Sequence, residues 1–370
     1  MREPLSIMLA AGGTGGHLFP AFALAEELGR RGHAVDLVTD MRGDRYGTGF
    51  PAREVHQVPA ATPGSKKNPV ALGRAAVTLA RGVLGARKLL RTLRPAVVIG
   101  FGGYPTLPPL IAARLLGIPF VIHEQNAVLG RANRALASRA AAIAASFRKT
   151  KGLDGGLADK TRFTGNPIRD AVIDAAKSPY PQIAAGGPLR LLVFGGSQGA
   201  RFFSDAVPPA LALLPQSLRG RLKLVQQARP EDVDRVRSAF AAAGIDAEIA
   251  PFFKDLPRIM AESHLIIGRA GASSVAELAV IGRPSILVPL PHSLDSDQLE
   301  NATSLAESGG SWCIEQKDLT PAHLAKELER LFDHPERLTA AAAGAKAQGQ
   351  SGAVALLADL VEEVSGRTRA

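Results

Sequence analysis

The sequence predicts an α/β protein made of two similar halves in tandem, each a parallel sheet flanked by helices. Three observations carry that expectation. Short apolar runs alternate with longer amphipathic ones from the N-terminus onward. Two of the runs, residues 5–11 and 189–194, end in glycine-rich loops that lead into helices. The alternation pauses around Gly165-Asn166-Pro167-Ile168-Arg169 and then starts again. At 370 residues and 46% hydrophobic composition, the chain can fill two cores.

The first element sets the pattern. Residues 5–11 read as a strand, Gly12-Gly13-Thr14-Gly15-Gly16-His17 as its loop, and residues 19–31 as a helix. The clustered glycines free the backbone to take positive φ and to approach a ligand with no Cβ in the way. Pro20 suits a first helical turn. Such a loop aims backbone N–H groups and a positive helix end at an anionic or strongly polar group, although a tight connection in a parallel sheet would use the same glycines. The dinucleotide fingerprint fails, because its third glycine would fall on Leu18. Asp40, after a second strand at residues 33–39, keeps a nicotinamide enzyme as an alternative. A P-loop nucleotidase is excluded by the missing lysine motif.

Farther along, residues 71–93 read as a helix, and residues 96–100 as a strand followed by Phe101-Gly102-Gly103-Tyr104-Pro105. Residues 119–123 form a strand that runs into Glu124-Gln125-Asn126. Ligands of open parallel sheets gather beyond the carboxyl ends of strands, so His17, Tyr104 and His123-Glu124-Gln125-Asn126 are expected at one crevice. In the second half, Gly195-Gly196-Ser197-Gln198-Gly199 follows the strand at 189–194. The strand at 265–268 leads into Arg269-Ala270-Gly271-Ala272-Ser273-Ser274 and a helix carrying Glu277. Small hydroxyl residues at a helix N-terminus can cradle a diphosphate or simply cap the helix. Residues 285–289 form a further strand, and Asp295-Ser296-Asp297-Gln298 opens the next helix. The alanine runs at 135–145 and 340–347 read as helix, and residues 354–364 as a terminal helix.

Charge narrows the partners. The net charge is +10, and residues 55–123 contain no Asp or Glu while carrying Lys66, Lys67, Arg74, Arg81, Arg87, Lys88, Arg91, Arg94 and Arg114. Arg74, Arg81 and Lys88 recur every seven residues on one side of a helix whose other side carries Leu72, Leu79, Val83 and Leu90. This is either the solvated face of a crossover helix or a surface drawn to an anionic membrane. Nucleic acid is disfavoured, since 5% of residues are aromatic and no recognition motif occurs. The single cysteine, Cys313, excludes a disulfide framework and a cysteine-rich zinc site and suits a reducing, cytoplasmic setting. Residues 5–11 are too short for an export signal. The uncharged residues 96–113 are broken by Gly100, Gly102, Gly103, Pro105, Pro108 and Pro109, so they read as strand, loop and helix start rather than a membrane span.

Five motifs in order carry a resemblance: Gly12 to His17, His123 to Asn126, Gly165 to Arg169, Gly195-Gly196-Ser197-Gln198-Gly199-Ala200-Arg201, and Asp297-Gln298 through Asn301-Ala302. Together they closely resemble the MurG family of peptidoglycan N-acetylglucosaminyltransferases over nearly the whole chain. The resemblance implies a GT-B fold, two Rossmann-like domains facing across a cleft, with residues 1–165 plus 351–370 on the acceptor and membrane side and 166–350 binding the UDP-sugar. The last helix would cross back to the first domain. It implies inverting transfer of N-acetylglucosamine from UDP-N-acetylglucosamine to the 4-hydroxyl of a muramoyl sugar on an undecaprenyl-linked lipid acceptor, lipid I to lipid II, by a peripheral protein on the cytoplasmic face of the membrane. Other GT-B enzymes, such as lipid-A disaccharide synthases or UDP-sugar epimerases, share the architecture and should lack this motif set.

By the same resemblance, donor contacts fall to Thr14, Gly15, Gly16, Asn126, Arg169, Ser197 and Gln298. Diphosphate falls to Ala272, Ser273 and Ser274, ribose to Glu277, and uracil to Phe253. Gly102, Gly103 and Tyr104 would meet the acceptor. Where the family often has two adjacent glutamines this chain has Asp297-Gln298. Asp295-Ser296-Asp297 has the D-x-D form of a metal motif, but a helix dipole and Arg169 can stabilise a leaving diphosphate without metal or cofactor, so it is read as a helix cap. Inverting transfer needs a base for the acceptor hydroxyl. His17 and Glu124 are both candidates; Glu124 could alternatively orient a histidine, and His17 could bind the donor instead of reacting.

Overall fold

The computed structural model describes residues 4–12, 15–40, 49–60, 69–196 and 199–366, and the chain divides into two compact units, residues 1–169 with 352–370, and residues 170–351. In the first unit the elements are β1 (Ser6–Ala10), α1 (Gly15–Arg30), β2 (Ala34–Thr39), β3 (Glu54–Gln57), α2 (Pro69–Leu93), β4 (Val97–Gly100), α3 (Leu107–Leu115), β5 (Phe120–Glu124), α4 (Arg131–Leu136), β6 (Ala142–Ala145) and β7 (Thr161–Phe163). Every described strand pair is parallel, in the order β3-β2-β1-β4-β5-β6-β7. The order reverses between β1 and β4, which makes their carboxyl ends the topological switch point.

Side-chain alternation divides this sheet into two cores. Ile7, Leu9, Val97, Ile99 and Val121 face one side, against Leu24 and Leu28 of α1. Met8, Val98, Phe120 and Ile122 face the other, against Ala86 and Leu90 of α2 and Leu110 of α3. Because both faces are covered, the inner strands β4 and β6 are apolar and buried throughout, whereas the edge strands β3 and β7 carry polar residues.

The second unit repeats the plan with α5 (Asp170–Ala175), β8 (Leu189–Phe194), α6 (Arg201–Ala212), α7 (Gln216–Arg219), β9 (Leu222–Gln227), α8 (Val233–Ala242), β10 (Asp246–Ala250), α9 (Leu256–Glu262), β11 (Leu265–Gly268), α10 (Ala272–Ile281), β12 (Ser285–Leu287), α11 (Asp297–Glu307), β13 (Ser311–Cys313), α12 (Pro321–Phe332) and α13 (Pro335–Gln348). Its strand order is β10-β9-β8-β11-β12-β13, so its own switch point lies between β8 and β11. Arg283 is fully buried and donates to the carbonyls of Ala261, Ile281, Gly282, Ser178 and Pro179, tying the stretch after α5 to this unit without any carboxylate.

The final helix, α14 (Ala353–Gly366), belongs to the first unit. Leu357, Val361 and Val364 join the core of α1, while Asp359 and Glu362 accept from Nη1 of Arg31 at 2.6 and 3.1 Å.

Two expectations fail. The alanine run at 135–145 is not one helix: α4 ends at Leu136, and residues 142–145 are the buried strand β6. Alanine's helix propensity is worth only tenths of a kcal/mol per residue, and pairing with β5 and β7 outweighs it. In α2, Leu90 is buried and Val83 packs on the core, but Leu72 is 38% exposed. The first half of that helix therefore does not bury the side opposite its arginines. Lys66 and Lys67 lie outside the described residues.

Leu357→Ala should remove a fully buried side chain from the contact of α14 with the first unit and cost about 2–5 kcal/mol. Urea unfolding followed in that unit would show the loss; an unchanged midpoint would contradict the docking of α14.

Candidate functional site

At the first switch point the imidazole of His17, in the first turn of α1, lies over the loop that follows β4. Gly102 and Gly103 have φ of +84° and +76°. A Cβ on Gly103 would stand 3.4 Å from Cε1 of His17, and one on Gly102 would stand 3.6 Å from its Nε2. Positive φ favours glycine at both positions, while the contacts to His17 are of ordinary van der Waals length. The ring is held below the usual histidine pKa by burial, opposed by a hydrogen bond to the Gly12 backbone. It is therefore neutral at pH 7. Tyr104 begins a single turn of 3-10 helix, partly exposed, and Thr106 Oγ1 donates to the Gly103 carbonyl at 2.8 Å.

The end of β5 supplies the framework. Glu124 is 2% exposed, and its carboxylate accepts four hydrogen bonds: Oε1 from Asn126 N at 3.0 Å and Nδ2 at 3.4 Å, Oε2 from Gly130 N at 2.9 Å and Asn133 Nδ2 at 2.8 Å. Burial raises its pKa and these donors lower it. Gln125 Nε2 donates to the Phe101 carbonyl at 3.0 Å, which ties β5 to the glycine turn under His17. His123 is wholly buried, with Nε2 3.4 Å from the Gly165 carbonyl and from Ser146 Oγ. Desolvation, chiefly, brings its pKa to about 4, and His17 contributes in the same direction. Gly15 and Gly16 open α1 at the same edge, and Arg169 lies 5.5 Å from the ring centre of Phe19 in that helix.

In the second unit, α10 starts immediately beyond the carboxyl end of β11. Gly271 is its N-cap with no side-chain cap bond, so the first-turn N–H groups of Ala272, Ser273 and Ser274 point out of the helix end. Glu277 sits on the next turn, three and four residues after the two serines and on their side of the helix. Asn301, fully buried on α11, donates to the Ala270 carbonyl at 3.1 Å and fixes the approach to α10. Arg269 donates to the carbonyls of Val288 and Pro289 and to Gln316, and packs against Phe202 and Phe203.

Gln298 is in the first turn of α11, its Oε1 accepting from Leu290 N at 3.0 Å, while Asp297 Oδ1 accepts the Gln298 amide at 2.7 Å. The N-cap itself is Ser296, in the left-handed region at φ 57° beside Asp295 at 54°, and its hydroxyl makes no cap bond. The helix starts within the D-x-D stretch as expected, but without a side-chain cap bond; Asp297 accepts only the amide that follows it. Phe253 follows β10 and is partly exposed. Thr14 and Ser197 lie outside the described residues.

His17, Gly102, Gly103 and Tyr104 thus lie at the first switch point and Ala272, Ser273, Ser274 and Glu277 at the second, while Phe253 follows the edge strand β10 and Gln298 opens α11 beyond β12. Sequence reasoning missed Asn133 outright; Gln125, Arg269 and Asn301 were named only as members of motifs, without the supporting bonds they make here. Asn133 had a faint signal, being an amide on the buried face of a short helix.

Residues 7–145 match the Glycosyltransferase family 28 N-terminal domain and residues 190–357 the Glycosyltransferase family 28 C-terminal domain. Two Rossmann-like units bearing these domains in this order define a glycosyltransferase of the GT-B fold. The UDP-N-acetylglucosamine–N-acetylmuramyl-(pentapeptide) pyrophosphoryl-undecaprenol N-acetylglucosamine transferase of Rhizobium rhizogenes (strain K84) is 53% identical over 361 residues, covering 98% of this chain and 96% of the relative. The enzyme of the same name from Mesorhizobium japonicum is 54% identical, again over 98% and 96%. A crystal structure of Acinetobacter baumannii MurG superimposes with a TM-score of 0.81 at 30% identity, over 97% of this chain and all of that one. The chain belongs to the MurG family. A Neisseria meningitidis UDP-GlcNAc 2-epimerase, with a TM-score of 0.67 at 15% identity, shares the fold alone.

Folding keeps His123 neutral, so its folded pKa lies below its unfolded value of about 6.5. The unfolded chain then binds the extra proton, and stability falls as pH drops from about 6.5 towards 4, by about 3 kcal/mol for this group. Thermal melts of the parent and His123→Asn across that window should differ in slope, the variant losing less; equal slopes would contradict a neutral His123.

Proposed function

We propose that the protein transfers N-acetylglucosamine, with inversion, from UDP-N-acetylglucosamine to the 4-hydroxyl of the muramoyl sugar of an undecaprenyl-diphosphate-linked peptide acceptor, converting lipid I to lipid II. The observation that carries the reading is the paired switch points. One bears a neutral imidazole over a glycine turn, and the other an uncapped helix N-terminus lined by serines with a carboxylate one turn on.

In this reading α10 holds the donor. N–H groups of Ala272, Ser273 and Ser274 stabilise the diphosphate as negative charge develops on it, joined by the cation of Arg169. Glu277 accepts the ribose hydroxyls, Phe253 lies beside the uracil, and Gln298, Asn126, Gly15 and Gly16 contact the donor, together with Thr14 and Ser197. Tyr104, with Gly102 and Gly103, positions the acceptor.

His17 is the base. A hydrogen bond to the Gly12 backbone orients the ring, and a neutral imidazole is the form that can take up the acceptor's proton. Glu124 is the positioning group. Its oxygens hold Asn126, Gly130 and Asn133, none of its bonds goes to His17, and protonating it would leave one of those donors unpaired.

Membrane association is assigned to α2 and α3. Val70, Val77, Leu84 and Leu115 are 63%, 53%, 64% and 59% exposed. Arg74, Arg81 and Lys88, each four residues after one of the first three, are exposed beside them. Apolar side chains bordered by cations suit an anionic bilayer surface, with a peripheral mode on the cytoplasmic face. Among the described residues no helix is long and apolar enough to cross a membrane.

His17→Ala should lower kcat by about 10²- to 10⁴-fold with donor affinity nearly unchanged, and parental kcat should fall on the acid side only below about pH 6.5. Glu277→Ala should instead weaken UDP-N-acetylglucosamine binding by about 1–3 kcal/mol in calorimetry. If the two variants exchange these signatures, the assignments are wrong.

Reversing Arg74, Arg81 and Lys88 to Glu should abolish cosedimentation with anionic vesicles, at about 1 kcal/mol per basic residue near the surface, and spare activity on a soluble acceptor analogue. Unaltered sedimentation would return this face to a solvated role.

A further inference from the structure

A second basic surface lies away from α2, on the loop that leaves β6. Ser146 N donates to the Glu124 carbonyl at 3.0 Å, Lys151 N to Ala127 at 2.8 Å, and Leu129 N to Lys151 at 2.9 Å. Residues 146–151 are therefore pinned at both ends alongside residues 124–129, the stretch that carries Glu124 and Asn126. Between the pins, Arg148 and Lys149 are exposed, and among the described residues neither makes an ion pair. Arg148 is held in place instead by the ring of Phe163, 4.5 Å from its guanidinium carbon.

Several exposed cations of the second unit are matched by carboxylates instead. Lys223 pairs with Asp246, Arg235 with Asp205 and Asp232, and Arg258 with Asp255 and Glu262. Uncompensated charge on a pinned loop at the edge of a site calls for an anionic ligand. A membrane fits poorly, because none of the large exposed apolar side chains lies in residues 146–154, whereas five lie on α2 and α3.

We propose that Arg148 and Lys149 form the subsite that holds the carboxylate groups of the acceptor's peptide. The inference rests on the transferase reading above and deepens it. The relatives' acceptor carries a pentapeptide, and any such peptide on a sugar ends in a free carboxylate unless that is blocked. The strand order β1-β4-β5-β6 puts three strand spacings, roughly 14 Å, between the ends of β1 and β6. An extended pentapeptide spans up to about 17 Å. A muramoyl hydroxyl beside His17 therefore leaves the peptide long enough to reach Arg148.

The test compares two acceptor analogues in neutral detergent micelles, one with the peptide and one without it, at saturating donor. Arg148→Glu combined with Lys149→Glu should raise KM for the peptide-bearing acceptor about tenfold, leave KM for the peptide-free one unchanged, and spare kcat and the melting temperature. Amidating the peptide's C-terminus should raise the parent's KM in the same direction. An unchanged KM, or an equal rise for both acceptors, overturns the subsite; an equal rise together with lost binding to anionic vesicles assigns the loop to the lipid surface. A parent enzyme that transfers to neither acceptor overturns the transferase reading, and the subsite with it.

Discussion

Parallel strands joined by right-handed crossovers can be covered on both faces, but not at the point where the strand order reverses. There the connections leave in opposite directions and the carboxyl ends of two neighbouring strands stay open. In this chain the constraint operates twice, at β1/β4 and at β8/β11. What fills each opening follows from it. Backbone must pass close to a ligand, so glycine is needed, and donors must face outward, so a helix begins there without a side-chain cap.

Open strand ends also demand internal support, since the polar groups gathered there lose water without gaining secondary-structure partners. Glu124 illustrates how that cost is met. A carboxylate nearly out of solvent is tolerable only with its lone pairs engaged, and its four donors come from the stretch that forms the rim of the site. Gln125 and Asn133 extend the same network, one to the glycine turn under His17 and the other to the carbonyl of His123. The histidines gain neutrality from the same burial: desolvation outweighs hydrogen bonding at both His17 and His123.

The surface divides its charge by role. Cations of the second unit are largely matched with carboxylates one helical turn or one strand away, which is worth little to stability but cancels the field. Those on α2, and Arg148 and Lys149 after β6, are not so matched. The α2 set borders exposed apolar side chains and the β6 set does not.

By itself the sequence determined the two-part α/β plan, the glycine turns after β1, β4 and β8, and the candidate residues at strand ends, because apolar periodicity and glycine clustering are local signals. The ordered motifs determined the family for the same reason. Tertiary structure alone decided the rest. The alanines of β6 became strand because sheet pairing outweighs a small propensity. Leu72 came to the surface because α2 extends beyond the core that Leu90 and Ala86 reach. The four donors that hold the Glu124 carboxylate were likewise out of reach of the sequence, since Gly130 and Asn133 lie six and nine residues away and no spacing rule connects them to a carboxylate.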